Sequence, residues 1–538
     1  MRQSTRLILN ASVNVVSGLV NMAVRLVVVP LTIYYIGKEA YGVYALVAGL
    51  TLYTPYLRMG MASAVGRYAA THLARGEYDE LNAVVNTGVA YYRVMALLFV
   101  AVAVCIALWG IEWFIHNPDL HRVACWCVVI FGLVEGMAMF LGPVGGALWA
   151  IERFDLFSLP VTVFRLVRLA ALAAILPFCD DIKTGLVAVT TVMVLTNFLP
   201  ALARRLFVAR YTPNLRFDMR LARAKLVWPL LSFGVGTITW NWAQMLLNYL
   251  PLLLIGYYLT TEHVAEYEVP ASVLLLVNML IKGILMVMLP TASKLTATDR
   301  GQELQTLFLR SSKYGAGASM VACAGIGVLA PVLLYVWVGE TFLHVAVVLT
   351  VLAVGHALFF VQHGSFYVLV GMARQRVPAI MTVVAVALMG LAQAVVLART
   401  DWGLPGVAGV TAATLVLAWG LAVPIYTCRQ VGVKVRRYYA VVLIRPVLAC
   451  LPVSAVWLGL RYAVPLSQGW MTLVAALSSG AVLAGLSWWF VLFDDWDRRL
   501  AREKVGALRD RLRSIRTGHP AVGEVSVGGE PPEDDTAL

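Results

Sequence analysis

The stretch NVVSGLVNMAVRLVVVP, residues 14–30, decides how the chain is read. Asn14, Ser17, Asn21 and Arg25 recur at steps of three and four, so a helix carries them as one polar stripe ending in a permanent positive charge. Around that stripe stand Val, Leu, Met, Ala and Gly. A helix that apolar belongs in a membrane, and its charged stripe must face protein or a watery cavity.

The rest of the chain repeats the pattern. Of its 538 residues 60% are hydrophobic and 13% charged, and its mean hydropathy is +0.80. No soluble protein has surface enough to hide so much apolar sequence, so one polytopic membrane protein is expected. Arg2 and Arg6 precede an apolar stretch too long for a cleavable signal, which is therefore expected to stay as a helix. Fourteen segments are long enough to cross about 30 Å of hydrocarbon. They lie at about 9–36, 42–66, 84–110, 121–150, 158–178, 184–208 and 226–257 in the first half. The second half supplies 265–291, 310–337, 343–371, 378–398, 404–427, 438–462 and 469–493.

Charge sets the expected orientation. With the N-terminus inside, the inner loops and both ends hold 30 of the 42 Lys and Arg, and the outer loops four. Outer connectors carry acids instead, among them Glu39, Glu112, Asp181, Glu262, Glu266, Glu268 and Asp401. This positive-inside bias predicts cytoplasmic termini and accounts for most of the +13 net charge, so it gives no reason to expect nucleic acid.

Several local features carry little chemistry. Cys125 and Cys127, two apart on a helix, face different ways and cannot chelate together, so neither a zinc site nor a disulfide framework is implied. Asp495-Trp-Asp497 has the spacing of a metal-binding acid pair but reads better as the acidic start of a helix. Residues 494–516 are expected to form a basic amphipathic helix on the inner leaflet, and residues 517–538, rich in Gly, Pro, Glu and Asp, a disordered tail.

An internal repeat is visible. Tyr34-Tyr35, Glu39 and Tyr44 match Tyr257-Tyr258, Glu262 and Tyr267 at a constant offset of 223. Each set follows an amide-bearing helix, and paired halves around a central site are the usual plan of an alternating-access transporter. The stretches LTIYYIGKEAYGVYALV, RMGMASAVGRYAATHLARGEYDELN and WAIERFDLFS resemble the N-terminal half of bacterial polysaccharide flippases. These are the Wzx-like, O-antigen-type exporters of the multidrug/oligosaccharidyl-lipid/polysaccharide (MOP) superfamily. The motifs cover roughly residues 10–160, and where many relatives carry an acid at the end of helix 2 this chain has Arg58. The resemblance implies two six-helix lobes in a V around a cationic cavity. It also implies a cargo of undecaprenyl-diphosphate-linked oligosaccharide, turned from the inner to the outer leaflet. With two added helices, the expected division is an N-lobe over 1–210, a C-lobe over 211–430, and helices 13 and 14 over 431–493.

Eight basic residues are assigned to the apolar spans, against one acid, Glu135, with Glu266 and Glu268 assigned to the outer connector. Such charges cost about 2.5–3.5 kcal/mol each at the bilayer centre. A surplus that one carboxylate cannot neutralise predicts an anionic visitor, and arginine's planar fork suits a diphosphate. Arg445 and Arg461 flank a span and are expected to snorkel. Arg25, Lys282, Arg168, Arg165, Arg93 and Arg58 remain as diphosphate candidates; Arg165 and Arg168 could alternatively pair with Glu135, and Arg25 and Lys282 show no evident partner. Asn14, Asn21, Trp240, Asn241, Trp242, Gln244 and Asn248 suit a glycan, or could simply bond between helices. Glu135, His356 and His363 are candidates for coupling a proton or sodium ion, with packed neutral histidines as the alternative. No other cofactor is expected. Pro30, Pro143, Pro160, Pro229, Pro251, Pro290 and Pro331 could bend helices to permit rocking.

The expected protein is a flippase in the bacterial cytoplasmic membrane that works by alternating access, with a polysaccharide polymerase and assembly proteins as partners. The rivals are a lipid II flippase, a small-molecule exporter of the same superfamily, and a membrane glycan polymerase or ligase. The enzyme is disfavoured because no outer connector exceeds about a dozen residues and none combines a base with a nucleophile. No G-x-x-x-x-G-K-[ST] is present to bind ATP.

Overall fold

A computed structural model describes the backbone of residues 3–51, 60–143, 153–212, 214–286 and 288–499, with a few isolated positions besides. Side chains are described over the same range except, chiefly, residues 3–16 and 233–241. Every described element is helical. The first is α1 (Gln3–Thr51), and its course corrects the expected loop GKEAYG. The helix is interrupted only at Gly37, where φ of 78° lets the chain turn within one residue. A positive φ is open to glycine at little cost, so the first two spans become one broken helix. Pro30, by contrast, lies within regular helix.

There follow α2 (Met61–Ala74), α3 (Tyr78–Cys105), α4 (Pro118–Phe140), α5 (Phe154–Ile175) and α6 (Ile182–Tyr211). After them come α7 (Val227–Tyr258), α8 (Thr261–Met286), α9 (Met288–Ala297), α10 (Gly301–Val328) and α11 (Ala330–Val338). The series closes with α12 (Ala346–Gly371), α13 (Arg376–Arg399), α14 (Gly403–Val431), α15 (Val435–Ala463) and α16 (Leu466–Leu492). Helix starts are sequence-coded: Asn117 precedes Pro118 and accepts from the Asp119 amide, and Asp181 accepts from the Thr184 amide. Among the described residues, eleven helices are long and apolar enough to span a membrane, or twelve if α10 and α11, bent by 72°, make one span. The expected fourteen are not reached. The first two spans are joined at Gly37, part of the second lies outside the described residues, and α7 contains the undescribed side chains 233–241. The 72° bend falls beside Pro331, in the first turn of α11, the one expected proline hinge that coincides with a break of this size.

Two groups of helices meet at α1. Around Val24, Val43, Val128, Leu172 and Leu186, one side of α1 packs with α4, α5 and α6. The other side presents Val29, Ile33, Tyr41 and Leu46 to a core with Leu252, Leu274, Phe360 and Trp419 of α7, α8, α12 and α14. Helices α15 and α16 pack beside α10, where the Trp457 ring fills the space over Gly325 and Gly480 and donates to the Ala476 carbonyl at 2.8 Å. Large apolar side chains such as Leu97, Leu388 and Leu477 point outward, as lipid contact requires. Trp109, Trp113, Phe178, Trp402 and Trp470 form an exposed aromatic belt at the acid-rich end of the bundle.

The chain beyond α16 begins a further helix. Asp494 and Asp497 exchange backbone amide bonds with each other's carboxylates, a reciprocal cap, so the acids do start a helix. They do more. Lys313 of α10, with its side chain 2% exposed, bonds Asp497 at 2.6 Å and Asp494 at 3.2 Å. Tyr314 donates to the other Asp497 oxygen, and the Arg310 guanidinium lies 3.6 Å from the Trp496 ring. Most of the expected amphipathic helix and all of the tail over 517–538 lie outside the described residues.

Candidate functional site

Where the two groups diverge, a cavity of about 260 Å³ opens beside α1. Its polar wall is built from the stripe that opens the sequence: Asn21 and Arg25, one turn apart, both face it. Arg168 enters from α5 and Asn197 from α6. Arg168 is held by neutral acceptors, Thr196 Oγ1 at 2.8 Å, Asn197 Oδ1 at 2.7 Å and the Met193 carbonyl at 3.4 Å. These bonds orient the guanidinium without cancelling its charge.

The opposite wall supplies an acid that the sequence reading placed in an outer loop. Glu268 lies in the second turn of α8, and its Oε1 is 3.0 Å from an Arg25 nitrogen. Tyr41, beyond the Gly37 break, donates to Glu268 Oε2. One carboxylate therefore joins α8 to both halves of α1. Two earlier expectations are corrected: Arg25 has an ionic partner, and Glu135 is not the only acid within the spans. Glu268 fell at the very edge of the expected span 265–291 and was assigned to the outer connector; the helix begins at Thr261, which sets the residue nearly two turns inside it.

Further cross-contacts lie toward the acid-rich end. Lys38 pairs with Glu262 at 3.0 Å and also with Glu266, which His344 meets at 2.6 Å. The Trp337 ring nitrogen donates to the Leu26 carbonyl at 2.7 Å. Backbones touch as well: a Cβ on Gly42 would fall 1.7 Å from the Thr261 carbonyl oxygen. The bundle is thus zipped shut at that end.

Other predicted residues are scattered. Lys282 is exposed and does not line the cavity; fourteen residues beyond Glu268, it stands about 21 Å farther along α8. Arg165, one turn from Arg168, and Arg93, whose guanidinium sits 4.8 Å from the Phe140 ring, also stay outside the lining. The alternative of an Arg168–Glu135 pair gives way to the neutral acceptors above, with Glu135 adding an electrostatic attraction to Arg168. Of the described members of the amide set, Asn21 alone reaches the cavity, and its Nδ2 also lies 3.6 Å from Met279 Sδ on α8. Asn248 donates back to the Gln244 carbonyl of its own helix at 2.6 Å; neither residue lines the cavity, nor does Trp242. Tyr249 does so instead, with Tyr41, Tyr44 and Phe131. The side chains of Asn14, Arg58, Trp240 and Asn241 lie outside the described residues. In the C-terminal group His356 is half-buried, on the Leu352 carbonyl at 2.8 Å, and His363 is buried, on Asn278 Oδ1 at 2.7 Å.

The repeat has a physical counterpart. Tyr34 and Tyr35 pack edge to face with centroids 5.0 Å apart, and Tyr257 and Tyr258 do the same at 5.0 Å. A family model described as "Polysaccharide biosynthesis protein" matches residues 7–296, more than half of the chain. The chain belongs to this family. No curated protein sequence matches it. Among solved structures it is similar to an inward-facing multidrug resistance MATE family transporter of the MOP superfamily: 12% identity, 78% of this chain and 98% of that one covered, TM-score 0.65. The lipid II flippase MurJ in an inward closed conformation gives 11% identity over 89% of this chain and 99% of its own, also at TM-score 0.65. A MOP superfamily transporter from Pyrococcus furiosus gives 14% identity, 79% and 95% coverage, and TM-score 0.52. This member of the polysaccharide biosynthesis family therefore has the MOP fold.

Proposed function

We propose that the protein is a flippase for a lipid-linked glycan whose head carries a diphosphate, and that the undecaprenyl-diphosphate-linked repeat unit of a polysaccharide is its cargo. The observation that carries this reading is that Arg25 and Arg168 share one membrane-embedded cavity in which, among the described residues, Glu268 is the one lining carboxylate. Two guanidiniums against Glu268 leave the site cationic, which attracts phosphate and repels the cationic drugs that an exporter would carry. At about 260 Å³, the space is smaller than the roughly 300–1,000 Å³ usual for drug-sized ligands. It suits the diphosphate and its first sugar, with the remaining glycan lying toward the basic end and the polyprenyl chain in lipid. Tyr41, Tyr44 and Tyr249 offer apolar ring faces and hydroxyls to that sugar. The bacterial cytoplasmic membrane, with both termini inside, is the setting this cargo and the charge bias require. Coupling to a proton or sodium gradient, and association with a polymerase, belong to the same proposal.

The charge of the ligand tests it. Purified protein in nanodiscs is titrated with undecaprenyl diphosphate and, separately, with the cationic dye ethidium. Saturable binding of the diphosphate, weakened by Arg25→Gln, is expected. Saturable binding of ethidium with none of the diphosphate would hand the protein to the exporter reading.

A further inference from the structure

The ion pair inside the cavity is arranged for exchange. Arg25 engages Glu268 through one guanidinium nitrogen at 3.0 Å, and among the described residues that is its sole hydrogen bond. Its fork is thus only half used. A carboxylate held end-on by one nitrogen is a weaker partner than a phosphate that can accept two parallel bonds and brings more charge. Among the described residues, Glu268 is otherwise fixed by Tyr41 alone. The same carboxylate belongs to the contacts that close the acid-rich end, alongside Lys38–Glu262, Lys38–Glu266 and the approach of Gly42 to Thr261.

We propose that Glu268 is an internal stand-in for the cargo's phosphate, which the cargo must displace from Arg25 before the acid-rich end can open. The inference rests on the anionic-cargo reading above and deepens it. In the empty protein Glu268 neutralises Arg25, which would otherwise stand unpaired in a low-dielectric cavity. An arriving diphosphate meets Arg168, already oriented by Thr196 and Asn197, and then takes the Arg25 fork. Glu268 is pushed off, and α8 loses the contact that ties it to α1 on both sides of Gly37. Loading and unlocking are thereby one event, and a ligand too weakly charged to displace a carboxylate neither binds well nor opens the bundle. Glu268 is in this sense a specificity-determining residue, although no part of the cargo need bond to it.

The test uses the full chain in nanodiscs with undecaprenyl diphosphate as the probe. Spin labels on a non-natural amino acid at Phe178 and Trp402, both exposed at the acid-rich end, report its opening and leave the native cysteines untouched. Glu268→Gln removes the competitor but keeps the shape. It is expected to bind the diphosphate at least about fivefold more tightly, because the binding-competent state no longer has to be won from the ion pair. Its label distances are expected to lengthen without ligand, as the wild type's do only with ligand. The double variant Arg25→Gln/Glu268→Gln removes both charges of the pair, so neither is left without its counterpart, and guards against misfolding of the single one: it should show the opened distances but weak binding. A wild type that binds the probe, beside a Glu268→Gln variant with unchanged or weaker binding and a closed end, overturns the inference and leaves the function standing. A wild type that binds no diphosphate overturns both.

Discussion

Arg25 and Arg168 share a cavity but are held in opposite ways, one by a carboxylate and the other by neutral oxygens. Arg168→Lys separates charge from shape, since an ammonium keeps the charge but cannot reach Thr196 and Asn197 while presenting a fork. Binding of undecaprenyl diphosphate is expected to weaken about tenfold, roughly the loss of one charge-assisted hydrogen bond. Titration of the variant in nanodiscs checks it, and unchanged affinity would remove Arg168 from the site. Arg25 was legible because its three- and four-residue stripe can be read locally. Glu268 was not: its partner lies 243 residues away, and nothing local says that α1 packs on α8. Asn248 misled for a related reason. An amide on a polar stripe looks free in sequence, yet it can satisfy itself on the carbonyl one turn back, as this one does.

Contacts between elements give sharper tests than single polar groups. A Cβ on Gly42 would meet the Thr261 carbonyl oxygen at 1.7 Å, and that backbone cannot rotate away. On Gly256 it would meet a terminal methyl of Leu46 at 2.8 Å, which can. Gly42→Ala should therefore force α1 and α8 apart and open the acid-rich end, at a cost of about 1–3 kcal/mol. Gly256→Ala should leave the end closed, and label distances between residues 178 and 402 distinguish the two. The Gly37 break was hidden because GKEAYG has the composition of a loop, while one glycine with positive φ suffices to turn the chain. At the other end of the molecule, the clamp of Lys313 by Asp497 is testable through pH. Burial pushes the Asp497 carboxyl up, but the hydrogen bonds from Lys313 and Tyr314 outweigh it and hold the group below its ordinary value. A carboxyl depressed on folding adds stability above its unfolded value and loses it as pH falls through the folded one. Asp497→Asn should thus cost up to about 3 kcal/mol at neutral pH, Asp494 remaining as second partner, and the difference should fade as pH falls below the ordinary carboxylate range. Thermal unfolding of both proteins across that range measures it.

The whole molecule brings two helix groups together on one broken helix, closes them at the acid-rich end and leaves a cationic cavity beneath that closure. Its class was plain from hydropathy, because that depends on patterns within single spans. Which charges converge was not, because convergence depends on how remote helices turn toward one another: of the five described basic candidates, Arg25 and Arg168 line the cavity. The central claim is that this cavity carries a diphosphate-linked glycan across the bilayer. Leaflet exchange of a fluorescent polyprenyl-diphosphate oligosaccharide in liposomes tests it most directly, with an imposed ion gradient and with wild type beside Arg25→Ala. Exchange by the wild type and its loss in a folded Arg25→Ala protein is the predicted result. No exchange by the wild type above protein-free liposomes would contradict the account.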